Sequence, residues 1–402
     1  MWVADKLAYR NESNFIRAYK GSELVWELPS GSYYIKWNPS SAEGQFNIDG
    51  PTYNLSTFSG LYYWSTGVIN SSAFKNNEYI QSIETNAKKI GSSAFNACSS
   101  LSKISLPACE YIGNYAFYSC SFLSQVSLPK CSYIGAGAFK YCYSLTQLSL
   151  PVCSYIGADA FDYCRSLLNV SLPKCSYIGR SAFWNCRSLS QVSLPVCSYI
   201  GGFAFANCRS LSQLSLPVCS YIGDMAFENC RSLSQVSLPV CEYIGNAAFE
   251  SCISLSQVSL PKCSYIGDRA FANCSSLSKV ILTMCKSIGS MAFDDCISLT
   301  QISLPVCSYI DSYAFYYCSS LSKVSLPVCE YIESCAFDGC SALSRITIGY
   351  SGVCSLVSSN AFNNTQITSS TGSIYVPSSL VASYKDHSIW SNFKNRIFAI
   401  PS

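Results

Sequence analysis

The chain has 402 residues, of which only 12% are charged, and 26 basic side chains against 23 acidic ones leave a net charge of +3. So even a balance excludes the electrostatic footprint of a nucleic-acid or anionic-membrane binder. No run of 18 apolar residues offers a transmembrane helix. The opening Met1-Trp2-Val3-Ala4-Asp5-Lys6-Leu7 lacks the basic-then-apolar order of a Sec signal peptide. If the chain reaches a cell exterior, the expected route is release with a virus particle or loss of an earlier leader.

Residues 1–68 read as a small β-rich region. Phe15-Ile16-Arg17-Ala18-Tyr19 and Leu24-Val25-Trp26-Glu27 alternate on either side of Lys20-Gly21-Ser22, which predicts a hairpin. Tyr33-Tyr34-Ile35-Lys36-Trp37 and Leu61-Tyr62-Tyr63-Trp64 predict further strands. The region serves either as an attachment domain or as the cap that a stacked array requires at its end.

From 69 to 370 the chain repeats. Phe95, Phe117, Phe139 and their successors to Phe337 recur every 22 residues, with irregular copies at Phe74 and Phe362. A period of that length means one supersecondary unit stacked many times, here about 14 coils in a repeat solenoid. In the copy Ser188–Arg209, Leu189, Val192 and Leu194 predict a short strand with inward side chains, ended by Pro195, which cannot donate to a ladder. Cys197 and Ile200 form a second inward pair, and Gly201 is expected to allow a turn conformation closed to other residues. Ala204, Phe205 and Cys208 would complete the core on a short helical or 3-10 segment. The result is a β-dominated coil in which the Phe residues form a spine.

Of the 25 cysteines, 23 fall in two series with the same period, Cys98 to Cys340 and Cys109 to Cys329. Each is flanked by apolar residues, so a ladder of buried thiols is the simpler reading, although strands ~4.8 Å apart also bring rungs within disulfide reach. The spacing of 11 between the series matches no zinc signature. No phosphate-cradling glycine loop is present, so no cofactor is expected.

The motif L-x-x-V-x-L-P…I-G-x-x-A-F-x-x-C resembles the BspA-like leucine-rich repeat of bacterial, protist and phage surface proteins. The resemblance covers about three-quarters of the chain, and residues 371–402 are similar to the strand–helix–strand cap that closes such arrays. It implies a leucine-rich repeat solenoid that binds and adheres without catalysing a reaction. Four positions depart from the pattern: Thr283 for Pro, Ser287 for Tyr, and Asp311 and Glu333 for Gly. They predict altered local geometry with the register kept. The segment Ile16–Glu27 is similar to hairpins opening phage tail proteins, which points to a virion-attached receptor-binding protein. A bacterial surface adhesin and a passive virion spacer remain the alternatives.

No catalytic constellation is legible. The only histidine, His387, lies far in sequence from any distinguished nucleophile, and the thiols are near-interchangeable rungs. The outward Gln125–Gln301 and Ser127–Ser259 series predict a polar face that satisfies itself or meets a ligand. The Tyr series from Tyr111 to Tyr331 would be at least half exposed, either stacking along the solenoid or offering ring faces to sugars. The variable columns flank Ala-Phe. There Trp184, the only tryptophan in the regular array, is expected to be exposed beside Phe203 and the arginine row Arg165, Arg187, Arg209 and Arg231. Tyr141, Tyr163 and Asp162 complete the candidate site. The arginines would be neutralised by Asp162, Asp224 and Glu228 or would bind an acidic glycan. The expected partner is a host-surface glycan or protein, with virion proteins at the N-terminal domain.

Overall fold

The computed structural model describes seven strands between residues 6 and 64, and residues 67–401 apart from 79, 81, 86 and 370. The chain divides into two units, Met1–Leu172 and Pro173–Ser402.

In the first unit, the expected hairpin is present: Ile16–Lys20 and Glu23–Glu27 pair antiparallel, with a register shift between Ala18 and Tyr19. Its turn residues, Gly21 and Ser22, lie outside the described residues. Tyr33–Lys36 and Leu61–Trp64 also pair antiparallel. Five coils follow, each with three sides. One side is a three-residue strand, as in Gln125–Ser127, pairing in parallel register with Gln147–Ser149 of the next coil. A second is a two-residue strand, as in Tyr111–Ile112, stacked on Tyr133–Ile134. The second unit continues the plan through nine Phe-bearing coils, from Phe183 to Phe362. Both units are parallel β-solenoids.

Burial explains the repeat. Leu189, Cys197, Ile200, Ala204, Phe205 and Cys208 are fully buried, and Val192 and Leu194 nearly so. Their counterparts fill every coil, so each rung covers the next and no coil could exclude water alone. The Phe rings form the spine as expected: Phe183–Phe205 and Phe205–Phe227 stack with centroids 5.1 and 5.4 Å apart and planes within 4°.

The third side differs from a helix. Ala204, Ala206 and Cys208 N–H groups donate three residues back, to Gly201, Phe203 and Phe205. The alternate residues Phe203, Phe205 and Asn207 donate instead to Asp224, Ala226 and Glu228 of the following coil, each at 2.8 Å. The geometry combines 3-10-type turns with a ladder. It requires a left-handed residue twice per coil, φ 59° at Phe203 and 61° at Asn207, and non-glycine residues take that conformation in most coils, with glycine there at Gly137 and Gly339. Gly201 does not. The expectation that it supplies a special φ is corrected by its contacts: a Cβ there would stand 2.7 Å from the Arg180 amide nitrogen. Glycine is needed because adjacent coils touch backbone to backbone.

The thiols are buried. All 25 are free, and the two series have different acceptors. Cys208 Sγ lies 3.2 Å from the Phe183 carbonyl, whereas Cys197 Sγ lies 3.3 Å from the Tyr199 carbonyl. Burial raises Cys98, Cys153 and Cys197 to about 12, so these side chains stay thiols at neutral pH.

The second unit closes on the strand Ser373–Val376, the helix Val381–Asp386, the 3-10 segment Trp390–Arg396 and the strand Ile397–Ala399. Trp390 covers the last spine ring, Phe362, at 6.0 Å, and its Nε1–H donates to the Cys354 carbonyl at 2.7 Å. His387 belongs to this cap, where its Nδ1 accepts from the Ile389 amide. That is a structural use.

Candidate functional site

The third side is where coils display side chains that the core does not dictate. Its left-handed residues and the positions after Phe project from a backbone whose amides are satisfied whatever the side chain. In the first unit this surface carries a cluster of five tyrosines. Tyr118 meets Tyr115 edge-on at 5.9 Å and Tyr141 at 5.4 Å, and Tyr141 contacts Tyr143 and Tyr163 at 5.9 and 5.4 Å. Tyr115 and Tyr143 are 44% and 41% exposed, so the cluster faces solvent.

Two cations enter it. The Arg165 guanidinium lies 4.9 Å from the Tyr163 ring and 5.3 Å from that of Tyr143, and has no carboxylate partner among the described residues. Lys140 Nζ lies 5.3 Å from Tyr141 and is held from beneath, 2.8 Å from Asp162 Oδ2 and 3.5 Å from Asp159 Oδ1. Asp162 is fully buried, and neither of its oxygens has an aligned hydrogen-bond donor among the described residues. The contact is therefore ionic rather than an aligned hydrogen bond. Burial raises the Asp162 carboxyl to about 6, against the opposing pull of Lys140. Burial alone would lower Lys140, but Asp162 raises it.

Of the residues singled out in the sequence, Tyr141, Tyr163 and Arg165 thus form one surface. Asp162 is corrected: it supports Lys140 from inside and cannot meet a ligand or neutralise the arginine row. The remaining candidates lie in the second unit. Arg187, Arg209 and Arg231 are exposed, and Arg231 donates to Asn229 at 3.4 Å. Trp184 is half-buried rather than exposed. Phe203 is half-buried too, its ring 4.9 Å from the Arg180 guanidinium. Asp224 and Glu228 do not pair with the row, since Asp224 Oδ1 accepts the Asn246 amide and Glu228 accepts from Asn229. The sequence reasoning missed Tyr143. Its signal was positional, because Tyr143 stands 22 residues before Arg165.

The Tyr series on the two-residue strands behaves differently. Tyr177, Tyr199, Tyr221 and Tyr243 stack 4.8–5.1 Å apart with planes within 3°. Tyr199, Tyr221 and Tyr243 each have both faces covered by stacked rings, so a sugar cannot stack along this part of the row. The outward glutamines are exposed, and in the first unit Gln125, Gln147, Ser127 and Ser149 line a groove of about 450 Å³.

The BspA type leucine rich repeat model matches residues 64–168, 154–278 and 264–384 in six copies. The chain belongs to the BspA-type leucine-rich repeat family. Among solved structures, a leucine-rich repeat protein from Bacteroides ovatus is 21% identical, with 100% of this chain and 99% of that one covered and a TM-score of 0.57. A leucine rich cell surface protein from Faecalibacterium prausnitzii is 24% identical over 79% of this chain and 95% of its own, with a TM-score of 0.41. No curated protein matches the chain. Among the described residues, no helix is long and apolar enough to cross a membrane.

Proposed function

We propose that this BspA-type chain is a non-enzymatic recognition protein whose first unit binds a cell-surface glycan bearing an acidic group. The observation that carries the reading is Arg165, an exposed cation without a carboxylate partner among the described residues, resting on the rings of Tyr143 and Tyr163. Tyrosine rings with free edges and hydroxyls meet both the C–H faces and the hydroxyls of a sugar. A guanidinium presents a planar fork to a carboxylate or sulfate. The buried Asp162–Lys140 pair fixes Tyr141 from below, so the surface is preorganised.

The setting we favour is a phage tail, with residues 1–68 as the attachment domain and 69–370 as the recognition array closed by 371–402. The hairpin formed by Ile16–Lys20 and Glu23–Glu27 supports that setting. Detection of the chain in purified virions tests the setting, and its absence there favours a bacterial surface adhesin. The binding reading is tested on a glycan array and on host cells. Arg165→Ala and Tyr141→Ala should each reduce binding at least tenfold while leaving the circular dichroism spectrum unchanged. Equal binding by both variants and wild type removes this patch from recognition, and wild-type binding confined to protein ligands overturns the glycan assignment.

A further inference from the structure

The tyrosine ladder of the second unit lacks one rung. Tyr177 to Tyr265 occupy five successive coils, and Tyr309 and Tyr331 resume the series, but the coil between carries Ser287. The backbone is not interrupted there: Ser287 pairs in register with Tyr265 on one side and with Tyr309 on the other. Removing a ring from a stack whose backbone continues leaves room for one six-membered ring. Tyr265 and Tyr309 stand two strand spacings apart, roughly 9.6 Å. A ring midway would lie about 4.8 Å from each, within the range of stacked ring pairs.

The space has not closed. Tyr265 stacks on Tyr243 at 5.7 Å and 19°, and no ring covers its other face among the described residues. Tyr309 leans away, donating to Glu333 Oε1 at 3.3 Å and lying 48° from the plane of Tyr331. The rim is polar. Lys286 and Asp268 are exposed, and the half-buried Asp311 stands where the preceding coil has Gly289. Asp268 follows Tyr265 by three residues and Asp311 follows Tyr309 by two, so these carboxylates belong to the coils on either side of Ser287, and after burial their charges raise the Tyr265 hydroxyl. Asp268 Oδ1 accepts the Ser290 amide and Asp311 Oδ1 accepts the Ser312 amide. Among the described residues each carboxylate keeps its other oxygen without a hydrogen-bond donor. Three of the four departures from the repeat, Ser287, Asp311 and Glu333, therefore act on one place.

We propose that the space over Ser287, between Tyr265 and Tyr309, is a subsite for one neutral pyranose ring, its C–H faces against the two tyrosines and its hydroxyls donating to Asp268 and Asp311. The carboxylates disfavour an acidic sugar, which separates this subsite from the Arg165 patch. They also disfavour a purely apolar guest, since an aromatic side chain would leave them without donors.

The full chain is probed by saturation-transfer NMR with the methyl pyranosides of glucose, galactose, mannose and N-acetylglucosamine. At least one should receive saturation at its ring protons. Ser287→Tyr restores the missing rung and should abolish that signal with an equal or higher Tm, whereas Ser287→Ala should keep it. Tyr265→Ala should weaken binding at least tenfold. Arg165→Ala and Tyr141→Ala should leave the signal intact, so failure here is distinguishable from failure of the first-unit patch. Absence of any pyranoside signal sensitive to Ser287→Tyr overturns the proposal. So does binding of p-cresol alone at that position, which would assign the space to a partner's tyrosine.

Discussion

The Cys208 thiol lies 3.2 Å from the carbonyl oxygen of Phe183 in the preceding coil, tying the second core column to the aromatic spine. A thiol is a weak donor, so the contact favours packing more than it anchors it. Protection of the thiols by burial predicts that iodoacetamide modifies few of the 25 cysteines in the native chain and all of them after unfolding without reductant. Mass spectrometry counts the adducts. Thiols still blocked after unfolding would show that rungs are oxidised.

Asp162 gives the first unit a pH dependence of definite sign. Its carboxyl ionises near 3.8 when unfolded and at about 6 when folded, so the folded chain holds the extra proton between those values. Stability should therefore be highest below about pH 4 and fall as pH rises through 6, by on the order of 2 kcal/mol from this group. Asp294, in the second unit, is also raised to about 6 by burial and gives that unit a dependence of the same sign. Urea titrations at pH 4 and 6.5 should show a smaller difference for Asp162→Asn than for wild type.

Gly201→Ala should destabilise by about 1–3 kcal/mol, because the added carbon meets the Arg180 backbone and the coils must separate. Asp311→Gly should be nearly neutral, since the chain there already accommodates a side chain, with its amide 3.1 Å from the Ile288 carbonyl. Urea midpoints decide between steric contact and conformational freedom as the reason for glycine.

The left-handed positions give a paired test. Ala247, at φ 52°, should gain up to about 1 kcal/mol on replacement by glycine, which carries no Cβ penalty in that conformation. Gly137→Ala should lose stability and displace Tyr115, whose Cε1 would lie 2.5 Å from the new Cβ. A shift of both midpoints in the same direction would contradict the backbone assignment.

The coil was legible because burial repeats: Leu189, Cys197, Ile200 and Phe205 recur for a reason that acts on every rung. The turn run was less so, since Ala204-Phe205 fits a 3-10 segment equally well until the inter-coil amides of Phe203 and Asn207 are seen. Gly201 was recognised as necessary for the wrong reason, as a one-dimensional pattern does not reveal how closely a neighbouring backbone approaches. Asp162 read as a surface charge because it falls in a variable column, and only packing shows Lys140 and the tyrosines above it. The ladder tyrosines were expected to be at least half exposed, but all except Tyr331 are more buried than that, because each ring is covered by the rings stacked on it.

Residues as different as Ser181, Phe203, Met225, Ala247, Arg269 and Tyr313 hold one backbone position, with φ confined between 52° and 61°. The main chain at that position thus accepts side chains of very different size and charge. A substitution there rewrites the surface without asking the core to respond. Gain or loss of a whole 22-residue coil would move a binding residue along the stack while leaving its immediate supports intact. Such a scaffold can follow a changing ligand by exchange of single side chains, and its folding sets little limit on how often that happens.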